Sequence, residues 1–306
     1  MDIFLQQLIN GLVLGSIYAL IALGYTMVYG ILELINFAHG EITMFGAMVS
    51  IALLNILFPG LPLAVTLLLA VSGAMLVCVA LGLTVERVAY RPLRRAPRLA
   101  ALITAIGVSI VLQNVAMLIW GKQYVNFPPV LEVATHDIAG AHITDLQIAI
   151  VLLAIVLMGL LLWLVYRTRL GAAMRATAQS PDLASLMGIN PNTIIAVTFA
   201  LGAALAAVAG IMVGAYYGLA HYYMGFMLGL KAFTAAVLGG IGNVAGAMLG
   251  GLLLGVIESL GAGYIGTLTG GFLGSHYKDV FAFLVLILVL VLRPSGLLGE
   301  RTGDRA

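Results

Sequence analysis

Long stretches without a charged side chain constrain this chain more than any other feature of its sequence. Because about 20 apolar residues in a helix span the ~30 Å hydrocarbon layer of a bilayer, each stretch can hold at least one transmembrane helix. Only 8% of the residues are charged, which is too few to cover the surface of a water-soluble fold. The sequence therefore predicts an all-α, polytopic membrane protein. The uncharged stretches extend over residues 3–32, 42–85, 99–121, 146–166, 192–230 and 232–257.

The basic residues are distributed unevenly between the connections of these predicted helices. Eleven of the fourteen Lys and Arg residues fall in three segments, 87–98, 167–175 and 293–305, whereas the segment 122–145 contains a single lysine. Loops rich in Lys and Arg remain on the cytoplasmic side of a membrane. The sequence therefore predicts a multi-pass protein of the bacterial inner membrane in which the three basic segments and the C-terminus are cytoplasmic. The N-terminus is also predicted to be cytoplasmic, because the helix layout of residues 193–306, applied to residues 1–98, begins on that side.

Two portions of the chain resemble each other. The pattern Ala19-Leu20-x-Ala22 recurs 185 residues later, and Gly40 followed by Gly46-Ala47-Met48 recurs 200 residues later. Such short matches also arise by chance. We predict two parallel internal repeats, with about eight transmembrane helices and two short broken or re-entrant segments in total. The predicted organisation is a first repeat over 1–98, connecting helices over 99–166, a cytoplasmic coupling loop over 167–192 and a second repeat over 193–306.

Polar residues and glycines interrupt the apolar pattern once in each predicted repeat. Non-helical backbone at membrane depth is tolerated only where it is buried in protein or lines a water-filled cavity. We therefore predict that both breaks line the translocation pathway, with helix capping or internal pairing as the alternative. The roles of Glu33, Lys231 and Glu258 stay open. The predicted pathway residues are Asn36, His39, Glu41, Gly239, Gly240, Gly242 and Asn243.

The predicted cytoplasmic loop 167–192 contains the signals of a short, capped helix. Ser180 is a good N-cap, Pro181 suits the first turn, Asp182 complements the positive helix end, and Gly188 follows the last turn. An apolar face on a helix outside the bilayer predicts a protein partner, although an ordinary surface helix is the alternative. The predicted contact residues are Ser180, Pro181, Asp182, Leu183, Leu186, Met187 and Gly188.

Four motifs together carry a family resemblance that extends over nearly the whole chain. They are Asn-Phe-Ala-His-Gly-Glu at 36–41, Ala-x₄-Pro-Asp-Leu-Ala-x₂-Met-Gly-Ile-Asn at 176–190, Leu-Gly-Gly-Ile-Gly-Asn-x₂-Gly-Ala at 238–247 and Arg-Pro-x-Gly-Leu-x-Gly at 293–299. The chain resembles the branched-chain amino acid permease family, in particular its H-type subunit. The resemblance implies an ABC importer with a second homologous permease subunit, two cytoplasmic ATPases and a periplasmic substrate-binding protein. It also implies that the helix near Asp182 is the coupling helix that docks into the ATPase.

The chemistry of the chain points to transport rather than catalysis. It contains no phosphate-binding Gly-Lys-Ser/Thr loop and no His-Glu-x-x-His motif, and nothing predicts a cofactor, a metal site or catalytic residues. Energy must then come from partner ATPases or from ions. Two alternatives remain. One is a sister permease for urea, short amides or a sugar, and the other is an ion-coupled secondary transporter that uses the polar cluster at 33–41.

Overall fold

The computed structural model describes residues 2–58, 60–94, 96–128, 134–138, 140–270, 272, 274 and 277–299. Arg95, Arg301 and Arg305 of the predicted basic segments lie outside the described residues.

Helices account for nearly all of the described secondary structure. The helix α3 continues through a π-helical segment, Glu86–Tyr90, into the short α4. The helices are α1 (Asp2–Leu32), α2 (His39–Leu57), α3 (Leu63–Val85), α4 (Arg91–Leu93), α5 (Arg98–Trp120), α6 (Asp145–Arg167), α7 (Arg169–Gln179), α8 (Pro181–Leu186), α9 (Pro191–Tyr217), α10 (Met224–Gly239), α11 (Val244–Leu268) and α12 (Lys278–Leu292). Two antiparallel pairs of short strands join β1 (Val125–Asn126) to β4 (Leu219–Ala220) and β2 (Thr135–Ile138) to β3 (Ala141–Thr144).

Seven helices of the described chain are long and apolar enough to cross a membrane, namely α1, α2, α3 with its continuation, α5, α6, α9 and α11. The predicted all-α, polytopic membrane fold is confirmed. The remaining predicted transmembrane helix corresponds to α12, which has 15 residues. A further apolar helix, α10, has 16 residues and corresponds to the short segment predicted before the second break.

The helix bundle has two ends that differ in charge. At one end the Arg98 guanidinium pairs with the Glu33 carboxylate at 2.7 Å, and Arg94 Nη1 donates to Asn192 Oδ1 at 2.6 Å. We call this end the arginine face. At the other end, the loop face, the segment 121–144 connects α5 to α6 and its strand β1 pairs with β4. Because α9 begins next to Arg94 and ends at β4, it runs from the arginine face to the loop face.

The direction of α1 corrects one prediction from the sequence. Gln6 Nε2 donates to the carbonyl of His142 at 3.0 Å, and Gln6 Oε1 accepts from the backbone N–H of His142 at 2.8 Å. The N-terminal end of α1 therefore lies on the loop face, and the prediction that it shares a face with the basic segments is wrong. The positive-inside rule could not predict the side on which α1 begins, because Arg87 is the first Lys or Arg in the chain.

The helices form two inverted halves. Three helix contacts in one half have counterparts in the other. α1 packs against α11 as α9 packs against α3, and α2 packs against α9 as α10 packs against α1. In the same way, α2 packs against α3 as α10 packs against α11. An exchange of α1, α2, α3 and α5 with α9, α10, α11 and α12 gives this pattern. Since α1 and α9 run in opposite directions, the expected parallel repeats are wrong. The sequence similarity at an offset of 185 relates α1 to α9, which are equivalent in the two inverted halves. The similarity at an offset of 200 relates α2 to α11, which are not equivalent.

Glycines let the two halves meet closely where α2 crosses α10. A Cβ atom added to Gly40 would lie 2.6 Å from the Cα atom of Gly229 and would overlap the carbonyl of Gly225. Gly40 and Gly225 are 185 residues apart, the same offset that relates α1 to α9, so they are equivalent residues of the two halves. Because equivalent residues meet only close to a symmetry axis, the axis relating the two halves passes near this crossing. Small residues at such a crossing allow the helix backbones to touch.

Candidate translocation and coupling sites

The first break enters the bundle from the arginine face. The segment after α1 begins with Glu33, which has a positive φ of 53°, and the Tyr90 hydroxyl donates to Asn36 Oδ1 at 3.1 Å. α2 then begins at His39, whose ring occupies the space beside Gly24, about 12 Å along α1 from its end. The break therefore reaches membrane depth as predicted.

The polar side chains of the first break are buried among neutral groups. Asn36, His39 and Glu41 are all buried, and the His39 ring lies 5.0 Å from that of Tyr25 in an edge-on arrangement. The carboxylate of Glu41 has only uncharged hydrogen-bond donors in the described part of the chain. Its Oε1 atom accepts from the Ser109 hydroxyl at 2.9 Å and from Gln113 Nε2 at 2.7 Å.

The second break lies at the arginine face and is tied to the C-terminal segment. Gly240 and Gly242 have φ angles of 108° and 93°, a backbone region that favours glycine. The side chain of Asn243 caps α11, because its Oδ1 atom accepts from the Gly246 N–H at 2.9 Å, and its Nδ2 atom donates to the Leu298 carbonyl at 2.9 Å. Asn243 therefore caps a helix in this structure, which was the alternative to the predicted role in lining the pathway.

A cavity of about 1080 Å³ opens at the arginine face beside the second break. Gly242 and Asn243 contribute to its wall, whereas Gly239 and Gly240 pack against Gly246 and Gly299. The residues of the first break that were predicted to line the pathway lie outside its wall. Other residues around the cavity include Thr26, Gly30, Glu33, Tyr166, Arg175 and Arg293.

An ion-pair network that was not predicted from the sequence lies nearer the loop face. The Glu258 side chain is only 1% exposed and accepts from the Tyr18 hydroxyl at 2.9 Å. It also pairs with Lys231 Nζ at 2.8 Å and with Lys278 Nζ at 3.1 Å, and Lys231 pairs with Asp279 at 2.8 Å. The signal available in the sequence was that Lys231 and Glu258 each interrupt an apolar stretch, which is typical of residues with a function.

The predicted capped helix is α8, and it lies on the arginine face. The Ser180 hydroxyl accepts from the Leu183 N–H at 3.3 Å, and Gly188 ends the turn with a φ of 83°. The side chains of Leu183, Leu186 and Met187 are 64%, 82% and 82% exposed. The local structure thus follows the prediction, and the apolar face of α8 has no cover within the described chain. Its contact with a partner stays a prediction.

Comparisons with known proteins agree over nearly the full length. The family model described as the permease component of the branched-chain amino acid transport system matches residues 7–290. The chain is 48% identical to the high-affinity branched-chain amino acid transport system permease protein LivH of Salmonella typhimurium, over 97% of this chain and 96% of the relative. It is 49% identical, with the same coverage, to the permease protein BraD of the corresponding system of Pseudomonas aeruginosa. A probable LivH of Methanocaldococcus jannaschii is 28% identical over 97% of this chain and 94% of its own length.

Proposed function

The chain belongs to the family of permease components of branched-chain amino acid transport systems, and from this premise we propose that it forms the translocation path of an ABC importer for branched-chain amino acids. It is a transport subunit and not an enzyme. The full-length relatives favour this function over a permease for urea, amides or sugars and over an ion-coupled transporter. The observation that supports the proposal most directly is the exposed apolar face of α8, to which a separate ATPase subunit can bind.

The orientation follows from the positive-inside rule. The arginine face, with α8 and the large cavity, lies in the cytoplasm, and the loop face lies in the periplasm. The cavity is then a cytoplasmic exit, and a periplasmic binding protein delivers the amino acid to the loop face. The two breaks line the path between these faces. The N-terminal end of α1 is periplasmic in this orientation.

Coupling begins at α8, which docks into a groove on a cytoplasmic ATPase. The helix α7 connects α8 to the bundle, because it packs against α1, α6 and α9. When ATP brings two ATPases together, α8 moves with its ATPase and α7 passes the displacement to both inverted halves. A second, homologous permease subunit, either another copy or a paralogue, completes the path, and rocking of the two subunits gives alternating access.

The experiment measures ATP-dependent uptake of leucine by the permease reconstituted with its partner permease, ATPases and binding protein. Leu186→Asp and Met187→Asp are expected to abolish uptake and to release the ATPases during purification, because a charge replaces apolar contact. Ser185→Asp is the matched control, since Ser185 is exposed on α8 but points away from the apolar face. Uptake that survives both substitutions on the apolar face, or uptake by the isolated chain on an ion gradient, would contradict the proposal.

A further inference from the structure

A single face of α10 connects an apolar pocket to the ion-pair network. The pocket has a volume of about 290 Å³ and opens near the loop face. Met224, Met227 and Leu228 contribute to its wall from α10, and Val213 and Tyr217 contribute from α9. Lys231 follows at the next position of the same helical stripe, because residues at i, i+3, i+4 and i+7 share one face of a helix. We call the pocket, together with the adjoining Lys231 and the Lys278 and Asp279 side chains of the same ion-pair network, the α10 groove.

The charged end of the α10 groove reaches the surface of the chain at membrane depth. The side chains of Asp279 and Lys278 are 28% and 33% exposed at the start of α12. The far end of α12, Leu292, directly precedes Arg293 and lies only about 21 Å away, less than the ~30 Å hydrocarbon thickness. Ionisable side chains at such a depth face a cavity or a protein partner and not lipid. The groove therefore belongs to an aqueous path or to a subunit boundary.

We propose that the α10 groove binds the amino acid during transport, with the aliphatic side chain against Met227 and Leu228, the carboxylate on Lys231 and the ammonium group on Asp279. This inference rests on the proposed function and names a contact site for its substrate. A zwitterion needs one cationic and one anionic partner, and the groove provides both beside an apolar wall. Binding leaves the net charge of the buried network unchanged, which avoids the cost of an unpaired charge in the membrane.

The hydrogen-bonding capacity of Lys231 fits this role. Its ammonium group has three donors. Among the described residues, one donates to Glu258 Oε1 at 2.8 Å and a second faces the Asp279 carboxylate in an ion pair at 2.8 Å. The third is available for a substrate carboxylate while Glu258 holds the amine in place. Leu228 and Lys231 are about 4.5 Å apart along the helix axis, so one amino acid can reach both. Methionine side chains adapt to differently branched aliphatic groups.

The proposal is tested by photo-crosslinking during turnover. The complete complex in proteoliposomes is supplied with photo-leucine, a diazirine analogue of leucine, through its binding protein, and adducts are mapped by mass spectrometry. Adducts are expected on residues 213–228 of this chain. Lys231→Met is expected to reduce labelling and leucine uptake by about tenfold or more, because it removes a charged hydrogen bond. Arg87→Met removes an exposed basic side chain on the arginine face, and its uptake is expected to stay within about twofold of the wild type.

Two further results separate a binding role from a structural one. Leu228→Phe narrows the pocket and leaves every charge in place, so it is expected to lower leucine uptake by about tenfold relative to uptake of the smaller valine. If the wild-type complex transports leucine but the adducts lie elsewhere, or if Lys231→Met or Leu228→Phe behaves like the wild type, the groove is not a substrate site. If the wild-type complex transports no leucine, the proposed function itself is wrong.

Discussion

The helices α2 and α10 are equivalent in the two inverted halves, yet they carry opposite chemistry. α2 presents the carboxylate of Glu41, which accepts hydrogen bonds from the neutral Ser109 and Gln113 on α5. α10 presents the ammonium group of Lys231, which pairs with Asp279 on α12, the helix equivalent to α5. The packing of the halves is therefore duplicated, whereas their polar groups are not. This difference indicates that the scaffold and the transport chemistry respond to separate constraints.

The crossing of α2 and α10 gives the largest expected effect, because it is the part of the packing that both halves share. Gly40→Leu would force a side chain into the backbone of Gly225 and Gly229, which cannot move aside as a flexible side chain can. We expect a loss of at least about 3 kcal/mol, the upper range for overpacking, and little folded protein. Size-exclusion chromatography in detergent and thermal unfolding measure this.

Gly107→Leu is the control for this substitution, because no described atom outside the adjoining backbone of α5 lies within 4 Å of a Cβ atom added to Gly107. It adds the same volume to a transmembrane helix without entering a helix crossing. If both variants fold equally well, the close approach of α2 and α10 does not hold the two halves together.

The chemical difference between the halves is tested by two Glu→Gln substitutions. Glu258→Gln removes the charge that compensates Lys231 and Lys278, so we expect a loss of about 3 kcal/mol or more, as for a buried ion pair that loses one partner. Glu41→Gln keeps an oxygen acceptor for the neutral donors around it, and we expect a loss of less than about 1.5 kcal/mol. Thermal unfolding of both variants in detergent provides the comparison. Equal losses would mean that the two halves do not differ in this way.

The sequence predicts the parts of this molecule that depend on local signals. The apolar stretches predict the transmembrane helices, and the capping residues around Asp182 predict α8, because both are encoded within a few turns of chain. The direction of α1 depends on contacts of Gln6 with a loop more than 130 residues away. The partners of Lys231 were equally inaccessible to sequence reasoning, since Asp279 becomes its neighbour only when α12 packs against α10.

The two breaks also differ in how the next helix begins. Asn243 caps α11 with its side chain, whereas α2 follows Ala38 and has no side-chain cap. Asn243→Ala is expected to cost about 1–2 kcal/mol, since it removes the cap. It also removes the bond to Leu298. Asn114→Ala is the control, because the exposed Asn114 side chain donates to the carbonyl of Ile110 in its own helix and to no other residue that the structure describes. Equal unfolding temperatures for the two variants would exclude a stabilising role for the cap.

The smallest expected effect concerns the backbone at the start of the first break. Glu33 has a positive φ where the second break uses glycines, and its exposed carboxylate pairs with Arg98. Glu33→Ala removes an ion pair worth about 0–1 kcal/mol and keeps the unfavourable backbone conformation. Glu33→Gly removes the same pair and relieves about 1 kcal/mol of conformational strain, while the added freedom of the unfolded chain opposes it by about 0.4–1 kcal/mol. We therefore expect the glycine variant to be at least as stable as the alanine variant in thermal unfolding. A glycine variant that is clearly less stable would mean that the left-handed conformation of Glu33 carries no strain.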